Sequence, residues 1–262
     1  MSHARDWWRQ HFDDAYFRLH DPLFPEEESR REVAAMLELL GLPQGARVLD
    51  VPCGWGRHTT LLAEAGLDAF GADLSPDLLL RAREREAELA ATRRDDDGDA
   101  LGVARVQLAA ADLRALPYAD ASFDAVLNVY TSLGLFLDDA EDVRALREAR
   151  RLLRPGGVFL LESMHRDEIV GQYAARDEWS LPDGTVVRAR RRFDPVRGIS
   201  YEAMRWGRGP ERSRKTHALR LRTATEIAAL LAAAGFREVD WFGDWDLSPL
   251  RLDSPRVVAV AA

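Results

Sequence analysis

Apolar residues in this chain come in short runs, each followed by a stretch with helical spacing, from about residue 46 to residue 162. Ala46 to Val51 is short, apolar and β-branched, the pattern of a strand buried on both faces. Asp50 stands at its carboxyl end, Gly54 and Gly56 follow in a tight turn, and helical spacing resumes from Thr59 to Ala65. A second strand over Asp68 to Leu74 carries Asp73 at its end. Ser75-Pro76 then opens a long charged helix, with serine at the N-cap and proline at its first position. Arg93 to Asp99 is a polar connector. Strands are predicted over about Val103 to Ala109, Phe123 to Val129 and Val158 to Glu162, with a helix from Asp138 to Leu153. Strands alternating with helices predict a parallel sheet covered on both faces.

After residue 162 the alternation stops. Val186 to Phe193, Ile199 to Trp206 and Lys215 to Arg222 read as three antiparallel strands, the first two joined by the turn Pro195-Val-Arg-Gly198. A helix from about Thr225 to Ala234, stopped by Gly235, and strands over Phe236 to Trp241 and Arg256 to Ala261 return to the core pattern. Residues 1–45 read as helical. Trp7, Trp8, Phe12, Tyr16 and Phe17 precede the Asp21-Pro22 break, and a helix over about Glu26 to Leu40 ends at Gly41. The expected organisation is an N-terminal helical lid over 1–45 and an α/β domain over 46–262, with a substrate-side antiparallel insert at 176–222.

Composition narrows the class. The 262 residues are 47% hydrophobic and suffice for one large core. No apolar run approaches the roughly 18 residues that span a membrane, and the first residues lack an apolar signal core, so a cytoplasmic location is the expectation. A single cysteine forms no internal disulfide. The net charge is −8, but residues 176–222 hold thirteen Arg/Lys against six Asp/Glu, a local +7 that leaves about −15 elsewhere. In the insert's first strand Arg188, Arg190 and Arg192 alternate with Val187, Ala189, Arg191 and Phe193. Three arginines on one side fit an acidic substrate or RNA phosphates, or equally a charged guard on an exposed edge.

The glycine turn is not the dinucleotide fingerprint, because Gly54-x-Gly56 continues with Arg57, His58 and Thr59 and lacks the third glycine. Ligands of open α/β sheets nevertheless bind beyond the carboxyl ends of the strands, and a carboxylate at the end of the second strand can accept two ribose hydroxyls. In these features the chain resembles the class I S-adenosylmethionine-dependent methyltransferases, from roughly Arg47 to Ala262. Asp50-Val-Pro-Cys-Gly-Trp-Gly56 resembles the family's cofactor loop, with Pro52 where its first glycine is usual. Gly71-Ala-Asp-Leu-Ser75 resembles the ribose-binding strand end and Ala111-Asp112-Leu113 the adenine segment. Phe123 to Val129 resembles the fourth strand and Leu153-Arg-Pro-Gly-Gly-Val158 the turn into the fifth. The resemblance implies a Rossmann-like sheet of order 3-2-1-4-5-7-6 with the seventh strand antiparallel. It also implies S-adenosyl-L-methionine as cofactor, held by Asp50, Cys53, Gly54, Gly56, Arg57, Asp73, Leu74, Asp112, Leu113 and Asn128. Tyr16 is the lid residue expected to reach the cofactor's methionine end.

Methyl transfer chiefly requires nucleophile, methyl and sulfur held in line in a dry pocket. The segment Asn128-Val-Tyr-Thr-Ser132 follows strand four and is expected to border the methyl, which nominates Tyr130. It is not the Asn/Asp-Pro-Pro-Tyr sequence of base amine methylation. His165, after strand five, is the candidate general base, with His217 a weaker one. No carboxylate set with metal-ligand spacing is visible. Trp179, Trp206, Trp241 and Trp245 are candidates for an apolar acceptor pocket or for core packing. The expected function is methyl transfer to nitrogen or oxygen of a small molecule. The alternatives are an RNA methyltransferase using the basic insert and a non-catalytic module that binds the cofactor or its demethylated product.

Overall fold

A computed structural model describes residues 6–92, 106–207 and 213–262. The Arg93–Asp99 connector and the first residues of the expected third strand lie outside them. Eleven strands and seven α-helices are arranged as β1 (Arg47–Asp50), β2 (Asp68–Asp73), β3 (Gln107–Ala110), β4 (Phe123–Asn128), β5 (Leu153–Met164), β6 (Arg176–Ser180), β7 (Val186–Asp194), β8 (Ile199–Trp206), β9 (Ser213–Arg220), β10 (Val239–Phe242) and β11 (Arg256–Ala261) among the described residues. The helices are α1 (Asp14–His20), α2 (Glu26–Leu40), α3 (Thr59–Glu64), α4 (Pro76–Thr92), α5 (Asp139–Leu152), α6 (Arg166–Gly171) and α7 (Ala224–Ala234). Single 3-10 turns at Trp7–Gln10 and Asp21–Leu23 flank α1.

The main sheet runs β10-β11-β5-β4-β1-β2-β3. Its strands from β5 to β3 are parallel, and β11 inserts antiparallel between β5 and β10. This is the order implied by the resemblance, with β11 as the seventh core strand. The two-residue period of the strands sorts side chains to opposite faces. Leu49, Val126 and Leu161 pack with Leu146 and Leu152 of α5 and Ile227 and Leu231 of α7. Their neighbours Val48, Leu127 and Leu160 pack with Val33 and Met36 of α2 and Leu61 and Leu62 of α3. Both faces are therefore sealed, and only the strand ends are left to bind a ligand.

Helix boundaries follow the local chemistry. The Ser75 hydroxyl accepts from the backbone N–H of Leu78 and caps α4. Thr223 and Glu226 form a reciprocal capping box on α7, which Gly235 ends at φ 101°. The N-terminal α2 stops at Gly41 with φ 56°.

The insert is a separate four-stranded sheet of order β6-β7-β8-β9, one strand more than the sequence pattern suggested. The added edge strand, Arg-Asp-Glu-Trp-Ser, pairs with β7 but has no alternating apolar positions to announce it. One face of the sheet carries Trp179, Val187, Ala189 and Met204, packed with Leu19 of α1. Arg188, Arg190 and Arg192 lie exposed on the other.

Candidate active site

The turn after β1 is built around two carboxylates. Asp73 accepts the backbone N–H of Gly54 on one oxygen (2.9 Å) and that of Ser75 on the other (2.8 Å). Each oxygen keeps a further lone pair for a ligand. Burial pushes the Asp73 carboxyl up from its ordinary value, against the pull of these N–H groups. Asp50 accepts the Thr59 hydroxyl at 2.6 Å on Oδ2, while its Oδ1 is buried with no partner among the described residues. Burial raises this carboxyl to about 7. Gly54 has φ 54°, and a Cβ placed there would meet nothing within 4 Å, so the turn opens onto free space.

That space is a cavity of about 700 Å³, within the range of roughly 300–1,000 Å³ typical of small-molecule sites. Asp50, Cys53, Gly54, Arg57, Asp73, Leu74, Asp112 and Leu113 line its strand-end side. Asp177, Arg191, Glu202 and His217 of the insert, with Glu168, line the opposite side. Trp7, Trp8, His11, Phe12 and Tyr16 complete the wall. The N-terminal segment is anchored to both sides. Ser75 Oγ donates to the Phe12 carbonyl, and Lys215 Nζ donates to the His11 carbonyl at 2.6 Å and pairs with Asp13 at 2.7 Å. His11 is buried, and burial with the nearby His217, Lys215 and His20 lowers its pKa to about 2. It is a neutral wall residue.

Residues 48–157 match the family described as a methyltransferase domain. Over those residues the chain is similar to a methyltransferase domain, and its fold is the one seen in S-adenosylmethionine-dependent methyltransferases. An uncharacterized methyltransferase of Synechocystis sp. is 33% identical over 131 residues, which are 50% of this chain and 52% of the relative. The chain spans about half the length of the curated relatives it matches. The CcbJ methyltransferase of Streptomyces caelestis superposes with a TM-score of 0.79 at 20% identity, covering 99% of this chain and 98% of that one. CalS10, an amino pentose methyltransferase of Micromonospora echinaspora solved with S-adenosylmethionine bound, has a TM-score of 0.68 at 23% identity, covering 95% and 96%. At these identities the two structures share the fold of this chain.

The strand-end side of the cavity offers groups that fit S-adenosylmethionine. Asp73 presents acceptors for ribose hydroxyls, and the orphaned Asp50 Oδ1 suits a cationic amine. Not every expected residue faces the cavity. Gly56 does not line it; its φ is 74° and a Cβ would stand 3.0 Å from that of Ala82, so this glycine lets the turn pack on α4. Asn128 also lies off the cavity, where its amide donates to the Val51 carbonyl (2.8 Å) and its oxygen accepts from Ser132 (2.7 Å). It braces the turn from beneath. Cys53 lines the cavity, but burial pushes its thiol well up, which removes any nucleophilic role. Asp112 is gripped on both oxygens by Arg114, at 2.9 and 2.7 Å.

Arg57 reaches the cavity wall already paired. Its guanidinium donates to Ser29 and Glu32 and lies over the rings of Phe24 and Tyr130, at 4.7 and 5.3 Å. His58 sits 2.7 Å from the same Glu32 carboxylate. Burial opposes the charge of Glu32, yet His58 and Arg57 hold it down at about 2. Burial lowers His58 to about 4, so it is a neutral donor in this network. Glu32, buried in the middle of α2, was the sequence signal for this network: an acid on an apolar helix face needs a partner.

Tyr130 lines the cavity as expected, in a backbone conformation the sequence did not announce. Tyr130 and Thr131 have φ of 63° and 56°. Consecutive left-handed residues without glycine are costly and need external support. Glu162 supplies it, accepting the Tyr130 N–H at 2.6 Å, and Thr131 Oγ1 accepts the Met164 N–H at 2.9 Å.

His165 is buried at 3% exposure, its Nδ1 lies 2.9 Å from the Ser254 carbonyl, and it does not line the cavity. β5 extends to Met164 and pairs with β11, which carries His165 behind the wall. Of the imidazoles lining the cavity (His11, His20, His58 and His217), His217 is the one on the insert, in register with Glu202 across β8 and β9 and 3.9 Å from its carboxylate. Trp179, Trp206, Trp241 and Trp245 also lie outside the lining; Trp7, Trp8 and Trp55 take that place. Arg191 does face the cavity, bound to Glu202 and to Asp177 (3.0 Å), while Arg188, Arg190 and Arg192 face away from it.

Proposed function

We propose that this chain transfers a methyl group from S-adenosylmethionine to the amine nitrogen of a small hydroxylated acceptor of the amino-sugar kind. The observation that carries this reading is the single cavity joining the Asp50–Gly54–Asp73 end to the carboxylates Asp177, Glu202 and Glu168. When bound, the cofactor supplies a methyl on positively charged sulfur, already activated for in-line displacement. Asp73 would hold its ribose and Asp50 its amino group, which fixes the direction in which the methyl points. Acidic groups at the far end attract an ammonium and hydrogen-bond hydroxyls, and Arg191, bound to both Glu202 and Asp177, keeps these carboxylates in place while leaving the cluster net negative.

An ammonium must lose a proton before its lone pair can attack. His217 Nε2, on the cavity wall beside Glu202, is placed to take that proton. Trp7, Trp8, Phe12 and Tyr16 act as a lid that keeps water out while the reacting atoms are aligned. The name of CalS10, an amino pentose methyltransferase with this fold, supports the acceptor class. The position of Arg188, Arg190 and Arg192 away from the cavity favours a small acceptor over RNA.

The test is a panel of amino sugars, each beside the analogue with hydroxyl in place of the amine, incubated with cofactor and analysed by mass. The reading expects products one methyl heavier from amines alone, with release of demethylated cofactor. Methylation of the hydroxyl analogues at equal rates would move the assignment to oxygen.

A further inference from the structure

The exposed side of the insert sheet concentrates arginine to a degree the active site does not use. Arg176 lies opposite Arg190, Arg188 opposite Arg205, and Arg205 opposite Arg214. Arg192 completes the group, and all six are exposed. Like charges directly across a pair of strands destabilise a sheet, so this arrangement works against the insert's own stability. Internal neutralisation is slight. Glu178 pairs with Arg188 at 2.6 Å, and Arg192 lies over Tyr201 at 4.2 Å. Arg176, Arg190, Arg205 and Arg214 make no salt bridge among the described residues. The cavity-lining Asp177, Arg191, Glu202 and His217 alternate with these positions along the same strands, so the arginines point away from the site.

We propose that this face docks an acidic patch of a protein partner. The strand spacing gives it sides of about 13 Å along β7 and about 14 Å across the four strands, a size that suits one acidic helix, whose diameter is about 10–12 Å. A second copy of this chain does not fit in two-fold fashion, because arginine would meet arginine. An extended nucleic acid or an anionic membrane would run beyond the patch and meet a body that carries about −15. Planar guanidinium forks bind carboxylates in bidentate pairs and, with tyrosine, are enriched at protein interfaces.

The whole chain is titrated into a labelled polyglutamate peptide at physiological ionic strength and followed by anisotropy. The same is done with an oligouridine of equal length and with phosphatidylserine vesicles. The expected result is micromolar binding of the peptide, tighter than of the other two, although the protein itself is net negative. Arg190→Glu, Arg205→Glu and Arg214→Glu together should weaken it at least tenfold and leave affinity for S-adenosylmethionine unchanged. The same three positions changed to glutamine give a milder loss and serve if the reversal unfolds the insert. Absence of peptide binding, equal binding by the variants, or tighter binding of RNA or vesicles overturns the proposal.

Discussion

Lys215 of β9 donates to the carbonyl oxygen of His11, 204 positions earlier in the chain, at 2.6 Å. The same ammonium holds Asp13, so the insert and the N-terminal segment are tied together over the cavity. Lys215→Met keeps the aliphatic stem and removes the tie. Hydrogen bonds to charged groups contribute about 1.5–3 kcal/mol. The expected outcome is a cofactor dissociation rate several-fold higher in stopped flow, with a lower melting temperature. An unchanged dissociation rate would mean that this tie does not gate the cavity.

Asp73→Ala should weaken cofactor binding without unfolding the chain. Two hydrogen bonds to a charged acceptor amount to about 3 kcal/mol, or roughly a hundredfold in affinity. Calorimetry with S-adenosylmethionine and with its demethylated product should show the same loss, because the ribose is common to both.

Asp50 is predicted to make cofactor binding depend on pH. Burial raises its carboxyl to about 7 in the free protein, so it is largely protonated below that pH. A cationic amine pairs only with the carboxylate, and binding must then expel a proton. Affinity should therefore rise with pH up to about 7 and level off above, and below 7 binding should release a proton visible as buffer-dependent heat. Asp50→Asn should flatten the profile at the weaker level. A wild-type affinity that does not change between pH 5.5 and 7 contradicts this role.

His165 and His217 are predicted to separate cleanly. His165→Ala breaks a buried contact with the Ser254 carbonyl and should cost about 1–3 kcal/mol of stability, seen as a lower melting temperature, with the pH–rate profile unmoved. His217→Gln should leave stability nearly intact and lower the single-turnover rate at neutral pH by about 10²–10⁴-fold. The opposite pattern would return the proton transfer to His165.

The sheet and its ligand-binding end were legible because each depends on neighbours in sequence. Val48 to Asp50 is a buried strand, Gly54 supplies a left-handed turn, and Asp73 ends the adjacent strand; together they form the strand-end side of the cavity. The acceptor end was less legible because it is assembled from distant segments. His165 looked well placed after strand five, but β5 runs on to Met164 and turns it inward. His217 reaches the wall only because β9 pairs with β8 and the insert faces the N-terminal segment. Arg57 was expected among the residues that hold the cofactor, but a helix 25 positions earlier already pairs its guanidinium with Glu32. The alternation of arginines in β7 was visible in the sequence; which side faced the cavity depended on the packing of Val187 and Ala189.

Methyl transfer to an amine within this cavity can be tested in one experiment. The most direct measurement is a single turnover with S-adenosylmethionine labelled in its methyl group, enzyme in excess, and an amino sugar as acceptor. The expected result is label on the acceptor nitrogen, one demethylated cofactor formed per label transferred, and a rate that falls sharply in His217→Gln at saturating cofactor. Tight cofactor binding with no label transferred to any amine, or label transferred to RNA in preference, would contradict it.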